Sequence, residues 1–221
     1  MSEKVRSVIL LSGGLDSAAN LALCAAHDQP VLALTVNYGQ RAFTPECKAA
    51  RALCQEYGVP HQLIELPWLG AMGGSSLTST EQEVPQLDPS VLDDTQVTQA
   101  SAKSVWVPNR NGILINLAAA FAERMNAARV VVGFNREEAT TFPDNSEEFL
   151  NRATTALAMS TANGVRVYCY TTQMDKRQIV AEIRKLEYPF PFGKIWSCYH
   201  GASEPCGKCE SCRRLARALQ N

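Results

Sequence analysis

Short apolar runs that alternate with helical stretches are the strongest limit on what this chain can fold into. Val5 to Leu11 and Val31 to Val36 are rich in β-branched residues and leucine and are bounded by turn residues, and Leu15 to His27 between them has helical spacing. That is a strand, helix, strand unit. A second helix is expected from Thr44 as N-cap, with Pro45 in the first turn and Glu46 facing the positive end of the dipole, and it should stop at Gly58. His61 to Leu66 reads as a third strand, Arg129 to Gly133 as a fourth and Val165 to Tyr170 as a fifth, with an alanine-rich helix from Gly112 to Asn126 before the fourth. The alternation predicts an α/β fold: a parallel five-stranded sheet with helices on both faces. Such sheets bind ligands beyond the carboxyl ends of their strands, so functional residues are expected just after each one.

A length of 221 residues with 46% hydrophobic side chains is enough for one sizeable core. We divide it into an α/β domain over 1–187 and a small C-terminal segment over 188–221. Pro67 to Ser104 is polar, rich in Gly, Ser, Thr and Pro and too long for an ordinary connection, so it is either an active-site cover or a mobile insertion, and a cover is the expectation. With 21 Lys and Arg against 22 Asp and Glu the net charge is -1, so composition shows no general affinity for nucleic acid. The first apolar run is too short to span a membrane or serve as a signal peptide core, and the expectation is a soluble cytoplasmic protein.

Leu11 and the loop Ser12-Gly13-Gly14-Leu15-Asp16-Ser17 follow the first strand and run straight into a helix. The glycines allow close backbone approach, the free amides of a helix N-terminus attract phosphate oxygens, and Ser12 and Ser17 add hydroxyl donors. Asp16 would repel a bare phosphate, which makes sense if it holds magnesium or orients an amide. No Lys precedes Ser17 as a Walker loop requires, so kinase-like transfer of a γ-phosphoryl group is disfavoured.

Four of the eight cysteines, Cys198, Cys206, Cys209 and Cys212, crowd the end of the chain, the last three spaced C-x2-C-x2-C. Four thiolates suit a closed tetrahedral zinc site, which by zinc-finger precedent contributes roughly 10–16 kcal/mol to folding. An iron–sulfur cluster is the competing reading. Arg110 and Asn111 head a helix after Val107-Pro108-Asn109, where either Asn109 or Asn111 can cap and Arg110 offers a planar fork to phosphate or carboxylate. After the fourth strand, Glu138 or Asp144 could accept hydrogen bonds from a guanine-like base and Phe142 could stack on it. Equally, Asp144 and Asn145 could simply start a helix, with Glu148 supporting the cap.

The Ser12 to Ser17 loop resembles the PP-loop of ATP pyrophosphatase-type enzymes, which bind ATP and activate an oxygen by adenylation. With Asn37-Tyr38-Gly39-Gln40-Arg41, Ser75-Ser76-Leu77-Thr78, Val107 to Asn111, Gly133-Phe134-Asn135 and Trp196-Ser197-Cys198-Tyr199, the chain is similar to the QueC family over nearly its whole length. The resemblance implies a Rossmann-like fold of the adenine nucleotide alpha hydrolase type. It also implies ATP-dependent conversion of 7-carboxy-7-deazaguanine and ammonia to 7-cyano-7-deazaguanine in queuosine biosynthesis, with magnesium, a structural zinc on the four cysteines and a homodimer. It favours zinc over iron, assigns Arg110 to ATP or carboxylate binding, and matches Lys176 to a lysine that neutralises phosphate charge. With Asp16, these two are the candidate catalytic residues. Asn109 stands where the family usually has Gly, and Phe142 to Ser146 replaces a usual Tyr-Pro-Asp-Cys-Arg. That change keeps open a relative that joins the carboxylate to another amine. A tRNA-thiolating enzyme would share the loop but should carry a basic RNA-binding surface, and a non-catalytic nucleotide-binding or zinc-dependent module is the remaining alternative.

Overall fold

A computed structural model describes residues 4–220, with Thr95 described by its backbone alone. Its strands are β1 (Arg6–Leu10), β2 (Gln29–Asn37), β3 (His61–Glu65), β4 (Arg129–Val131) and β5 (Arg166–Tyr168). They form one sheet in the order β3-β2-β1-β4-β5, with every pairing parallel. The helices are α1 (Leu15–His27), α2 (Phe43–Tyr57), α3 (Pro67–Ala71), α4 (Thr95–Val105), α5 (Arg110–Arg124), α6 (Arg136–Ala139), α7 (Glu147–Ser160), α8 (Lys176–Ile183) and α9 (Glu210–Leu219).

Successive strand residues point to opposite faces, and each face is covered. Ile9 packs among residues of α1, α2, α8 and α9, while Val8 packs among residues of α5 and α7. Phe190 and Ala218 belong to the first of these cores, so the C-terminal segment shares the core of the α/β body. The strand order reverses direction between β1 and β4, and the crevice there is where such a sheet takes its ligand.

Some boundaries differ from the sequence reading for identifiable reasons. Helix α2 starts before Thr44: its N-cap is Ala42, which makes no side-chain cap, so Thr44 is not the cap. Pro45 is tolerated because the amides of a first turn need no intrahelical partner. Gly58 ends the helix in the left-handed conformation, at φ 63°. Strand β4 stops short of Gly133, which presses onto the start of α1: a Cβ there would lie 2.4 Å from the Ser17 nitrogen. The stretch from Pro67 to Ser104 holds α3, a single 3-10 turn at Pro89–Val91 and most of α4. Much of it packs on the C-terminal segment, with Val84 beside Cys198 and Cys209, and Gln86 bridging to Cys209. No described helix is long and apolar enough to cross a membrane.

Candidate active site

The loop after β1 is tied to itself. The Ser12 and Gly14 amides donate to the Ser17 and Ser12 hydroxyls at 3.2 and 3.3 Å, and the Ser17 hydroxyl donates to the Gly14 carbonyl at 3.2 Å. Gly13 has φ +84°, and a Cβ on it would fall 2.7 Å from the Glu46 carbonyl, so both conformation and space demand glycine. Ala18 makes the first intrahelical bond, to Gly14, which leaves the amides of Leu15, Asp16 and Ser17 as orphan donors of α1. Leu15, Asp16 and Ser17 all line a cavity of about 260 Å³ at the switch point.

Lys176 begins α8, whose N-terminus is fixed by a capping box of Asp175 and Gln178. Its side chain is buried and donates to Asp16 Oδ2 at 2.8 Å and Glu138 Oε1 at 2.9 Å. Burial opposes the charge on Lys176, but the two carboxylates outweigh it and push its pKa up. One cation faces two acids. Burial raises the Asp16 pKa against the pull of Lys176, whereas for Glu138 the lysine overcomes burial and the pKa falls. Asp16 Oδ1 is buried without a hydrogen-bond partner. Such an orphan oxygen beside the loop fits a magnesium ligand.

On the other side of the cavity, Arg110 Nη1 donates to the Tyr38 hydroxyl at 3.3 Å, with the guanidinium over the Tyr38 ring at 5.6 Å. Asn109, the N-cap residue of α5, is left-handed at φ 50° and makes no side-chain cap, so neither asparagine caps this helix as expected. That backbone conformation is one that glycine adopts without strain. Asn111 instead reaches the Asp144 carbonyl at 3.5 Å.

Of the residues singled out from sequence, Leu11, Ser12, Gly14, Leu15, Asp16, Ser17, Arg110, Asn111, Glu138, Phe142 and Lys176 line the cavity. Gly13 and Asp144 do not. Phe142 lies parallel to Trp106, with ring centroids 6.2 Å apart. The expected helix start at Asp144 and Asn145 is also corrected: Ser146 caps α7, accepting from the Phe149 amide at 3.1 Å, because residues 143–145 form a 3-10 turn first. Among the described residues from Pro67 to Ser104, only Leu77 lines the cavity.

Sequence reasoning missed Trp196, Ser197 and Tyr199, which also line the cavity. The Trp196 amide bonds the Gly13 carbonyl at 2.8 Å, so the approach to Cys198 forms a wall over the loop after β1. It missed Glu46, Glu210 and Arg214 too. From sequence Glu46 reads only as a helix-dipole residue, and no local pattern points Glu210 and Arg214 inward.

The Sγ atoms of Cys198, Cys206, Cys209 and Cys212 all lie within 4.8 Å of one another, close to the separation of about 3.8 Å that thiolates keep around a tetrahedral zinc. Amides of His200 and Cys206 point at Cys198, and those of Lys208 and Cys209 at Cys206. Burial opposes charge on Cys206, but these amides pull its pKa down to about 7. The donor set fits a closed, all-thiolate metal site.

The family model for queuosine biosynthesis protein QueC matches residues 6–221. The 7-cyano-7-deazaguanine synthase of Desulforamulus reducens is 48% identical, the match covering 98% of this chain and 94% of that one. The synthase of the same name from Desulforudis audaxviator is 48% identical over 98% of this chain and 97% of its own, and that of Methanosarcina mazei 44% over 98% and 94%. With its nucleotide loop, paired lysine and four-cysteine cluster in one continuous match, the chain belongs to the QueC family.

Proposed function

We propose that this chain is an ATP-dependent carbon–nitrogen ligase that converts 7-carboxy-7-deazaguanine and ammonia to 7-cyano-7-deazaguanine. The observation that carries the reading is the cavity at the switch point, where the orphan amides of α1 meet the buried Lys176 and Asp16 within a full-length match to 7-cyano-7-deazaguanine synthases. The amides of Leu15, Asp16 and Ser17 hold phosphate oxygens of ATP, and Lys176 and Arg110 offset their charge. Asp16 is the residue that would hold magnesium, which when bound further neutralises the phosphates.

In the first step a carboxylate oxygen of the acid attacks the α-phosphorus and pyrophosphate leaves. Ammonia then adds to the acyl carbon, AMP departs and a proton is lost, giving the amide. Attack of the amide oxygen on a second ATP releases pyrophosphate again, and loss of AMP with the two amide protons leaves the nitrile. No enzyme nucleophile is needed. The chain contributes orientation and charge neutralisation. A zinc on the four cysteines has no open position and is structural, holding the wall made by Trp196, Ser197 and Tyr199. We place the enzyme in the cytoplasm as a homodimer, with Pro67 to Ser104 as a cover and residues 188–221 as a zinc-binding unit. Product analysis tests the route: AMP and pyrophosphate should accumulate at two of each per nitrile, and ADP with phosphate would rule out adenylation.

A second reading has one observation behind it. Phe142 and Asn145, within the segment that departs from the family pattern, both line the cavity, so a different amine as acceptor is a specific alternative. Ammonium-dependent nitrile formation separates the two.

A further inference from the structure

Four carboxylates line the cavity: Asp16, Glu46, Glu138 and Glu210. Asp16 and Glu138 share Lys176, and Glu210 is paired with Arg214 and bonded by Ser101. Among the described residues, Glu46 has no ion pair. Its one hydrogen-bond partner is the Gln40 amide, whose nitrogen donates to Oε2 at 3.0 Å. That amide cannot turn over: its oxygen accepts from the Tyr38 amide at 2.9 Å, and its nitrogen also donates to the Val36 carbonyl at 3.0 Å. The Glu46 carboxylate is therefore held at one oxygen by a preoriented donor, and no described residue donates to the other.

We infer that Glu46 reads the base of the substrate, its carboxylate accepting the ring N–H and the exocyclic amine of a 2-amino-4-oxopyrimidine edge. The inference rests on the proposed reaction and names the residue that recognises its ring. An ionised carboxylate in a cavity is costly unless donors reach it, and burial raises the Glu46 pKa against the help of Gln40 and Arg110. A guanine-like edge supplies two adjacent donors, the arrangement that a carboxylate accepts best. The adenine of ATP fits worse, because its amine adjoins a ring nitrogen that would face the carboxylate lone pairs. Ammonium fits worse as well: Arg110 is the cation whose field reaches Glu46, and it would repel a second one. The placement suits the chemistry. Glu46 lies at the start of α2, after β2, whereas Glu138 follows β4 and Lys176 follows β5 on the other side of β1, so a ring anchored at Glu46 can extend its 7-carboxylate toward the α1 N-terminus between them.

The test is a mutant and substrate cycle on the full-length protein. Wild type and Glu46→Gln are assayed with 7-carboxy-7-deazaguanine and with the same acid lacking the 2-amino group, and KM is measured separately for acid, ATP and ammonium. Wild type should prefer the amino compound by about tenfold or more in kcat/KM, as expected for a hydrogen bond to a charged acceptor. Glu46→Gln should lose most of that preference and raise KM for the acid, with KM for ATP and ammonium unchanged. The ratio is internal to each protein, so partial loss of folded material does not affect it, and calorimetric titration of the acid covers a variant too slow to assay. An unchanged preference in Glu46→Gln overturns the inference, as does a rise confined to KM for ammonium or for ATP. Wild-type protein that turns over neither acid, with ATP present, contradicts the proposed reaction itself.

Discussion

Lys176 and Asp16, 160 residues apart in sequence, meet at 2.8 Å where the N-terminus of α8 is brought against that of α1. Two helix starts and one ion pair thereby define the floor of the cavity. The lysine also holds Glu138 from α6, and its own backbone amide donates to Glu137 at 3.1 Å, so its position is set from both ends.

Lys176→Met should both destabilise the protein and abolish turnover. Removing the cation leaves two part-buried carboxylates uncompensated, and breaking a fully buried pair costs about 3–5 kcal/mol, so a loss at or below the low end of that range is expected. Urea denaturation measures the loss. A variant as stable as wild type would mean that Asp16 and Glu138 are not held by this lysine.

Asp16→Asn separates ligand binding from folding. Lys176 keeps Glu138, so the melting temperature should change little, while ATP-dependent turnover should fall by two orders of magnitude or more if Asp16 holds magnesium against the phosphates. Assays across a magnesium series should show the variant losing its dependence on the metal. Wild-type rates from well-folded Asp16→Asn would remove this residue from the site.

Glu46→Gln should stabilise the protein while impairing acid binding. The Glu46 pKa is higher folded than unfolded, where the carboxylate titrates near 4.5. Below that pH the side chain is neutral in both states and costs nothing. As pH rises from 4.5 through the folded pKa, the unfolded chain ionises first and stability is lost, so the gain from Gln should appear over that window and persist above it. Denaturation at pH 4 and pH 8 checks the sign, and a variant less stable at pH 8 than at pH 4, relative to wild type, contradicts it.

Purified protein should contain about one zinc per chain, bound by four thiolates. The Trp196 indole donates to the Cys198 carbonyl at 2.9 Å, so its fluorescence should report removal of the metal. Cys212→Ser should loosen α9 and the Trp196 wall together. Iron with broad visible absorption in protein prepared without oxygen would favour the thiolation reading instead.

The α/β alternation, the five strands and the tight loop after β1 were legible because each rests on local signals: periodicity, glycine at a tight turn and a helix beginning at once. Lys176 and Arg110 were legible only through family resemblance, since a lone basic residue at a helix start looks like surface. Glu46 was legible as a first-turn acid but not as a cavity residue, because the Gln40 clamp depends on a loop conformation. Trp196, Ser197 and Tyr199 required knowing that the cysteine segment folds back onto Gly13. The caps expected at Thr44, Asn109 or Asn111, and Asp144 were displaced by local geometry: an early helix start, a left-handed asparagine and a 3-10 turn ending at Ser146.

Asp144→Asn tests the second carboxylate that sequence offers to the base. Asp144 lies outside the cavity lining and does not cap α7, and burial raises its pKa against the pull of Arg110, so the substitution should hold or raise stability at neutral pH. If its carboxylate nonetheless reaches the base, affinity for the acid should fall by about 1.5–3 kcal/mol, as for a hydrogen bond to a charged acceptor. Calorimetric titration of the acid with wild type and variant decides, and equal affinities assign base recognition away from Asp144.

Incubating the protein with 7-carboxy-7-deazaguanine, ATP, magnesium and ammonium, followed by mass spectrometry of the deazaguanine products, tests the proposed reaction as a whole. The nitrile should appear after a transient amide, with nitrogen from labelled ammonium incorporated and no product when ATP is omitted. Unchanged acid in the presence of zinc-loaded, ATP-binding protein would contradict the proposed reaction.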